Sequence, residues 1–194
     1  MTSRNVHIIG GAGGIGRWFA THVFPDSYVY DVRFPNSDVL PRGARPCLLT
    51  KEGYAPYSNH FCQADWVLIS TPLTVFEQTA TAIIPLLKEG SLIVPLSSVQ
   101  REPVEFLRAN IPAGRSVCGC HPLFGHTLSS AVGQIVALTD FDERSTQQQR
   151  FRATLAERGM IPTALSLSEH ELYMAHVQAL THFCLLGFAA TLGR

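Results

Sequence analysis

The 194-residue sequence predicts an α/β fold of the Rossmann type, with a doubly wound and mainly parallel sheet, followed by one long helix. Three observations predict it. First, a β-branched apolar run at residues 6–9 leads into a glycine-rich turn. Second, apolar runs of strand length alternate with helical stretches along the chain. Third, from residue 168 the sequence has the pattern of one long helix. We expect residues 1–166 to form one α/β domain and residues 167–194 to begin a helical domain that this sequence covers only in part.

The first strand is followed by the pattern Gly11-x-Gly13-x-x-Gly16, which is typical of a turn that binds the pyrophosphate of a dinucleotide. Gly11 permits the tight turn, Gly13 lets a phosphate approach the backbone, and Gly16 lets the following helix (17–23) pack on the strand. Free N–H groups at the helix N-terminus attract phosphate. The predicted cofactor-binding residues of this turn are Gly11, Ala12, Gly13, Gly14, Ile15 and Gly16.

The second strand, Tyr28 to Tyr30, is followed by Asp31, which lies 20 residues after Gly11. A carboxylate at this distance accepts the ribose hydroxyls of an adenosine and repels the 2′-phosphate of NADP. Arg33 follows two residues later and would soften that preference. The pattern therefore predicts NAD as cofactor, with NADP less favoured. The alternative is a glycine turn that binds no ligand.

A strand at residues 64–70 ends in Ser70-Thr71-Pro72, which places these three residues at the carboxyl edge of the sheet and among the predicted cofactor-binding residues. Between Asp31 and this strand we predict, in order, a surface loop with Pro35, Pro41, Gly43 and Pro46 (32–46), a short strand (47–49) and a broken helix (51–63).

The remaining segments continue the alternation of strands and helices. A helix at 75–88 has one apolar face made by Val75, Ala80, Ile83, Ile84 and Leu87. After it we predict strands at 91–94, 116–120, 134–138 and 160–165 and helices at 101–110 and 146–158. The last helix has Ser168 as its predicted N-cap, with Glu171 completing a capping box.

Composition excludes several classes of partner. The formal net charge is zero and there is no basic run, so we expect no nucleic-acid partner. We expect neither a membrane span nor a signal peptide, because the apolar run at 183–192 is too short to cross a bilayer and the first strand begins at about residue 5. Five cysteines without a disulfide spacing indicate reduced thiols and a cytoplasmic protein.

Candidate catalytic residues follow two strands at the predicted edge of the sheet. Ser97 and Ser98 come after the strand at 91–94, and His121 comes directly after the strand at 116–120. A histidine at this edge can take a proton from a substrate hydroxyl while hydride leaves the same carbon. The alternative is a hydrogen-bonded loop histidine.

A metal site is not predicted. His170, His176 and His182 are six residues apart, so successive ones are rotated by about 240° on a helix and do not share a face. Cys118 and Cys120 have no second pair of ligands with zinc spacing.

At these residues the sequence resembles the prephenate and arogenate dehydrogenase family of tyrosine biosynthesis. The resemblance covers nearly the whole chain. The residues that carry it are the segments 8–16, 64–72, 96–99, His121-Pro-Leu-Phe-Gly125 and 169–183. The last two segments are the most specific.

The resemblance implies an NAD(P)-dependent oxidative decarboxylation of prephenate, or of a close cyclohexadienyl analogue, to a 4-hydroxyphenylpyruvate-type product. It implies that His121 assists deprotonation of the ring hydroxyl, that Ser98 orients this group, and that His182 faces the substrate from the long helix. Ser97 and Gln178 are the further predicted substrate-binding residues. The family also implies a helical domain through which a homodimer forms.

The sequence departs from the family at Pro95, Gln100 and Thr127, where members often have an acid, a lysine and an acid, respectively. These departures leave prephenate, arogenate and 4-amino-4-deoxyprephenate open as substrates. Two other functions stay open at this point. One is a different Rossmann dehydrogenase, such as a β-hydroxyacid or imine reductase type, and the other is a non-catalytic NAD-binding module.

Overall fold

A six-stranded parallel sheet forms the centre of the computed structural model, which describes residues 4–34 and 40–192. The strand order β3-β2-β1-β4-β5-β6 is that of a doubly wound sheet, so the predicted fold class is confirmed. Part of the predicted loop at 32–46, including Pro35, lies outside the described residues. The strands are β1 Val6–Ile9, β2 Tyr28–Asp31, β3 Arg45–Leu48, β4 Trp66–Ile69, β5 Leu92–Pro95 and β6 Ser116–Val117.

A second, three-stranded sheet corrects the sequence prediction at 116–120. Its strands are β7 Gly119–Pro122, β8 Ile135–Thr139 and β9 Ile161–Leu165, with β7 antiparallel to β8 and β8 parallel to β9. The chain leaves the first sheet at Cys118 and joins the second at once. His121 therefore lies inside β7, opposite Ala137, and not after the strand, because pairing with β8 keeps the chain extended to Pro122.

The helices pack on both faces of the large sheet. They are α1 Gly14–His22, α2 Ser58–Phe61 after a 3₁₀ turn at Ala55–Tyr57, α3 Leu73–Ile83 with a further turn at Ile84–Leu86, α4 Arg101–Asn110 and α5 Thr146–Glu157. Two helices begin earlier than predicted. Helix α1 begins at Gly14, inside the glycine turn, and not at residue 17, and α3 begins at Leu73, directly after its N-cap Pro72, and not at residue 75. Val75 is 40% exposed and does not join the core, unlike the other apolar residues of that predicted face.

Two apolar clusters hold the sheet from either side. Ile8 joins one cluster and Ile9 the other, because successive side chains of a strand point to opposite faces. In the first cluster Trp66 of β4 makes edge contacts with Phe24 and Phe151, with ring centroids 6.0 and 5.4 Å apart. Burial on both faces is what a parallel sheet requires.

The C-terminal helix consists of α6 Leu167–Met174, a π-helical turn at Ala175–Leu180 and α7 Thr181–Leu192. Its capping box is formed by Ser166 and Glu169, where the Ser166 hydroxyl accepts from Glu169 N–H at 3.2 Å and the carboxylate accepts from Ser166 N–H at 2.8 Å. The prediction of Ser168 and Glu171 was wrong because the same Ser-x-x-Glu spacing occurs two residues earlier, directly after β9.

Glu171 does not cap the C-terminal helix but forms an ion pair that connects this helix to α4. Its two carboxylate oxygens accept from Nε and Nη2 of Arg101, both at 2.6 Å. A bidentate pair of this kind fixes orientation as well as distance. The N-terminal half of the C-terminal helix is thereby held against the α/β domain, and His170 on it is only 1% exposed.

The far half of this helix is unlike the near half. The continuous helix Leu167–Leu192 has 26 residues and a window of mean hydropathy 1.3, which suffices by length and composition to cross a membrane. The length of residues 183–192 alone therefore does not decide whether this helix meets a membrane, and the expected absence of a membrane partner stays a prediction. However, the helix begins as a docked, polar segment, and its apolar side chains are exposed in α7, where Phe183 is 75% and Leu186 71% exposed.

A buried histidine in β1 makes the fold sensitive to acid. His7 is fully buried, its Nδ1 lies 3.0 Å from the Tyr30 hydroxyl, and its ring stacks on Tyr28 with centroids 4.8 Å apart. Burial, and then the neighbouring His60, lower the pKa of His7 from 6.5 to about 3. In the unfolded chain the same imidazole takes up a proton near its ordinary pKa.

We expect the variant His7→Phe to lose less stability in acid than the parent protein. Between about pH 6.5 and the native pKa the unfolded state binds one proton more than the native state at this site, so His7 lowers the unfolding free energy by about 1.4 kcal/mol per pH unit. Urea unfolding at about pH 7, 6 and 5 measures the slope. His176→Gln, at an exposed position, is the control, and parallel pH curves for the parent and H7F would contradict the prediction.

Candidate active site

Two clefts open at the carboxyl edge of the large sheet, on either side of the start of α1. The larger has a volume of about 880 Å³ and lies between the glycine turn, the end of β2, the segment 49–55 and α3. Clefts at this edge are where doubly wound folds bind ligands. The predicted cofactor residues that line it are Ala12, Gly13, Asp31, Arg33, Ser70, Thr71 and Pro72.

The glycine turn uses its residues differently from the prediction. Gly10, and not Gly11, has the left-handed backbone (φ +74°), and a Cβ at Gly10 would lie 2.6 Å from the Ser70 carbonyl oxygen. Gly11 is required for another reason, because a Cβ there would lie 2.6 Å from Val29 Cγ1. At Gly16 a Cβ would lie 2.5 Å from the Gly10 oxygen, as close packing of α1 on the strand predicts.

Of the four remaining turn residues, Ala12 and Gly13 line the larger cleft, and Gly14 and Ile15 do not. Gly13 is the N-cap of α1 and has no side chain to occupy the space before the helix. Gly14 instead makes room for His126, whose Cγ would be 2.8 Å from an added Cβ. Ile15 points to the second cleft. Gly13 therefore marks where an anion can meet the first-turn N–H groups of α1.

Asp31 and Thr71 supply the polar groups of the larger cleft. The Asp31 carboxylate accepts from Ala12 N–H at 3.1 Å and from Val32 N–H at 2.8 Å, which ties β2 to the glycine turn and leaves lone pairs for a ligand. The Thr71 hydroxyl is buried and has no hydrogen-bond partner among the residues that the structure describes, 4–34 and 40–192. A buried hydroxyl without a partner, a carboxylate and a glycine cradle together fit a dinucleotide.

The second cleft, of about 380 Å³, brings together the candidate catalytic residues. Its lining residues are Ile15, Leu96, Ser97, Ser98, His121, Pro122, Leu123, Phe124 and Gln178. Four of the five predicted catalytic and substrate-binding residues thus meet here. The fifth, His182, does not line this cleft, because its Nδ1 bonds back to the Gln178 carbonyl oxygen at 2.6 Å on the exposed part of the helix.

His121 is buried (3% exposed) between two side chains of the C-terminal helix. Its Nδ1 lies 2.9 Å from His170 Nε2, and its Nε2 lies 3.4 Å from the Gln178 amide nitrogen. Because an amide nitrogen only donates, we assign the lone pair of His121 to Nε2 and the proton to Nδ1, which donates to His170. Burial, and then the nearby His170, lower the pKa of His121 from 6.5 to about 4, so the ring is neutral at pH 7.

The sequence singled out His170 as one of three histidines on the long helix, but it did not predict that His170 contacts His121. Eight residues separate His170 from Gln178, and in a regular α-helix they would be rotated by about 80° from one another. The π turn at Ala175–Leu180 has wider i→i+5 turns and rotates the chain less per residue, so both side chains reach His121. π turns are often found at functional sites, but their position cannot be read from the helical period.

The two serines of the cleft have different surroundings. The Ser97 hydroxyl accepts from Val99 N–H at 3.1 Å, and Ser97 N–H donates to the Cys120 carbonyl oxygen at 3.3 Å, so Ser97 shapes the loop. Ser98 is exposed and lines the cleft. Of the two, Ser98 is thus the better placed to meet a substrate hydroxyl.

Comparison with known proteins identifies the family. A family profile described as prephenate dehydrogenase, nucleotide-binding domain, matches residues 47–158, more than half of the chain. The chain is 26% identical to a probable arogenate/prephenate dehydrogenase of Methanocaldococcus jannaschii over 197 residues, covering 98% of the chain and 43% of that protein. It is 29% identical to the T-protein of Haemophilus influenzae, covering 91% of the chain and 42% of that protein. It therefore spans less than half the length of these relatives.

Solved structures share the fold. A prephenate dehydrogenase from Aquifex aeolicus, in complex with hydroxyphenyl propionate and NAD⁺, superposes with a TM-score of 0.76 at 19% identity, covering 98% of this chain and 70% of that one. The arogenate dehydrogenase of Synechocystis gives a TM-score of 0.66 at 18% identity, covering 97% and 74%. The profile match confirms the resemblance seen in the sequence: the chain belongs to the prephenate dehydrogenase family, in the part that forms its nucleotide-binding domain.

Proposed function

We propose that this chain is the NAD-binding part of a dehydrogenase that oxidises and decarboxylates prephenate or a close cyclohexadienyl analogue. The observation that carries the proposal is the buried, neutral His121, whose Nε2 lone pair lies in a cleft next to the larger cleft. The family match and the arogenate/prephenate dehydrogenase name of the archaeal relative support the same reaction class. A nucleotide-binding module without catalysis would have no use for such a histidine.

The residues of the larger cleft would hold the cofactor. Asp31 would accept the ribose hydroxyls and disfavour a 2′-phosphate, so we propose NAD over NADP. Gly13 and the first turn of α1 would receive the pyrophosphate, and the Thr71 hydroxyl would find its missing partner there. When bound, NAD supplies the hydride acceptor.

His121 would move the proton. As hydride leaves the ring carbon that bears the hydroxyl, the hydroxyl proton passes to Nε2 of His121, and Nδ1–H keeps its bond to His170. The bond between the ring and its carboxylate then breaks, CO₂ leaves, and the electron pair of that bond completes the aromatic ring; the phenolate oxygen takes the proton back from Nε2 of His121. Ser98 would orient the hydroxyl, and Gln178 would release Nε2 to the substrate.

The C-terminal helix and the domain that it begins would complete the substrate site and form the contact between the two subunits of a dimer. None of the described residues that line the second cleft is Arg or Lys, although prephenate carries two carboxylates. We propose that the helical domain begun by Leu167–Leu192 provides the cation, and that a second copy of the protein covers the apolar face of α7. The five cysteines are free thiols, which fits the proposed cytoplasmic location.

We expect His121→Asn to lower kcat by about 10²- to 10⁴-fold and to change the dissociation constant for NAD by less than about twofold, because general base catalysis is lost while the larger cleft is intact. NADH formation by the full-length protein is followed with prephenate, arogenate and 4-amino-4-deoxyprephenate in parallel, which also identifies the ring substituent. His176→Asn, exposed on the same helix, is the control. Equal losses of turnover and NAD binding would show that His121 is structural.

We expect Asp31→Ala to weaken NAD binding by about tenfold or more and to reduce the preference for NAD over NADP, since the ribose acceptor and the negative charge are both removed. Titration calorimetry with each cofactor measures this. The matched control is Asp142→Ala, whose carboxylate also accepts a backbone N–H, from Arg144 at 2.9 Å, but lies outside the clefts. An unchanged ratio of the two dissociation constants would place the ribose elsewhere.

We expect Leu186→Glu in the full-length protein to shift its sedimentation from dimer towards monomer, because a charge would then have to be buried in the α7 contact. Val132→Glu is the matched control, since Val132 is 70% exposed and lies outside the C-terminal helix, against 71% for Leu186. Identical sedimentation of L186E and the parent protein would exclude this face as the dimer contact.

A further inference from the structure

The side chain of Gln100 is a buried amide, with 1% of its surface exposed, beneath the loop that contains Ser97 and Ser98, here called the serine loop. It occupies the N-cap position of α4, but its side chain makes no capping hydrogen bond. Instead its Nε2 donates to the Ser97 carbonyl oxygen at 2.5 Å, and its Oε1 accepts from the Thr139 hydroxyl at 2.9 Å. One side chain thus connects the loop after β5 with the last residue of β8.

The space for this amide is created by Gly119 in β7. Gly119 pairs directly with Thr139, and a Cβ added to it would collide with both Gln100 Oε1 and Thr139 Oγ1. His121 lies two residues further along β7. The amide therefore fills a gap in the β7–β8 pair beside the strand that carries the candidate base.

The contacts make the serine loop and β7 one unit. Ser97 N–H donates a hydrogen bond to the Cys120 carbonyl oxygen at 3.3 Å, which fixes the serine loop to β7. The Gln100 amide connects the same loop to β8. A buried amide whose donor and acceptor are both satisfied specifies one arrangement, because any other leaves a polar group unpaired. A lysine, which has donors only, cannot make this pair of contacts in the same way.

We propose that Gln100 is a positioning residue for the reaction: its amide sets the separation between the Ser97-Ser98 loop and the His121 imidazole. The inference rests on the proposed function for its kinetic consequence. Gln100 does not line the second cleft, so it acts through Ser97 and β7 and does not touch the substrate. Misplacement of a reacting group by about 1 Å lowers the rate by up to about 10²-fold, so we expect loss of the amide contacts to cause a measurable fall in kcat.

The test compares Gln100→Leu, which removes both polar contacts, with Thr139→Val, which removes only one, in the full-length protein. We expect Q100L to lower kcat by about tenfold or more and T139V by a smaller factor, with the dissociation constant for NAD within about twofold of the parent value. Gln63→Leu, at an exposed position, controls for the residue type. Unchanged kcat in Q100L together with a lower melting temperature would show that Gln100 only stabilises the fold and would overturn the proposal.

A second readout does not need turnover. The ring nitrogens of His121 are titrated by ¹⁵N NMR, and we expect the pKa of His121 in Q100L, and less so in T139V, to rise from about 4 towards its ordinary value as water enters beside the displaced loop. A His121 titration identical to the parent in T139V, and in Q100L if that variant folds, would overturn the proposal. Absence of turnover in the parent protein would overturn the proposed function alone, since the titration still decides the role of Gln100.

Discussion

The bond between His121 of β7 and His170 of the C-terminal helix is the contact on which the candidate site depends, since it joins the two parts of the chain that build it. The neighbouring features all serve to place this helix. The capping box at Ser166 starts it directly after β9, and the bidentate pair of Arg101 with Glu171 fixes its rotation against α4. The π turn then brings Gln178 back to the same histidine. Without the docked helix, His121 would lose both of its side-chain partners, His170 and Gln178.

Local patterns predicted most of the residues that line the larger cleft, because a glycine turn, a helix N-terminus and Asp31 are within one βαβ unit and their spacing is set by covalent geometry. The errors fall where distant segments decide. The pairing of β7 with β8 moved His121 from the end of a strand to its interior, and the end of β9 selected Ser166 over Ser168 as N-cap. Gly10 replaced Gly11 in the left-handed position because the turn packs on Ser70, more than fifty residues away. The role of His170 also required knowing what the helix packs against.

A lowered histidine pKa is not by itself a mark of function in this protein. His7 and His121 are both held neutral by burial, with pKa values of about 3 and 4. His7 is enclosed by Tyr28, Tyr30 and Phe61, so its depressed pKa is a cost of packing an imidazole in an aromatic core. His121 faces a cleft that also holds Ser98 and Gln178. Access to a ligand, and not the size of the shift, separates the structural histidine from the candidate base.

The pairing of His121 with a second histidine has a consequence for the proposed chemistry. In a triad with a carboxylate, the negative charge stabilises the imidazolium that forms. His170 is neutral and accepts the Nδ1 proton without supplying charge, and the pKa of about 4 makes free His121 a weak base. An anionic substrate changes this balance, because a carboxylate placed in the low-dielectric cleft favours the protonated ring. In the proposed reaction a substrate carboxylate close to His121 would therefore raise the basicity of the imidazole.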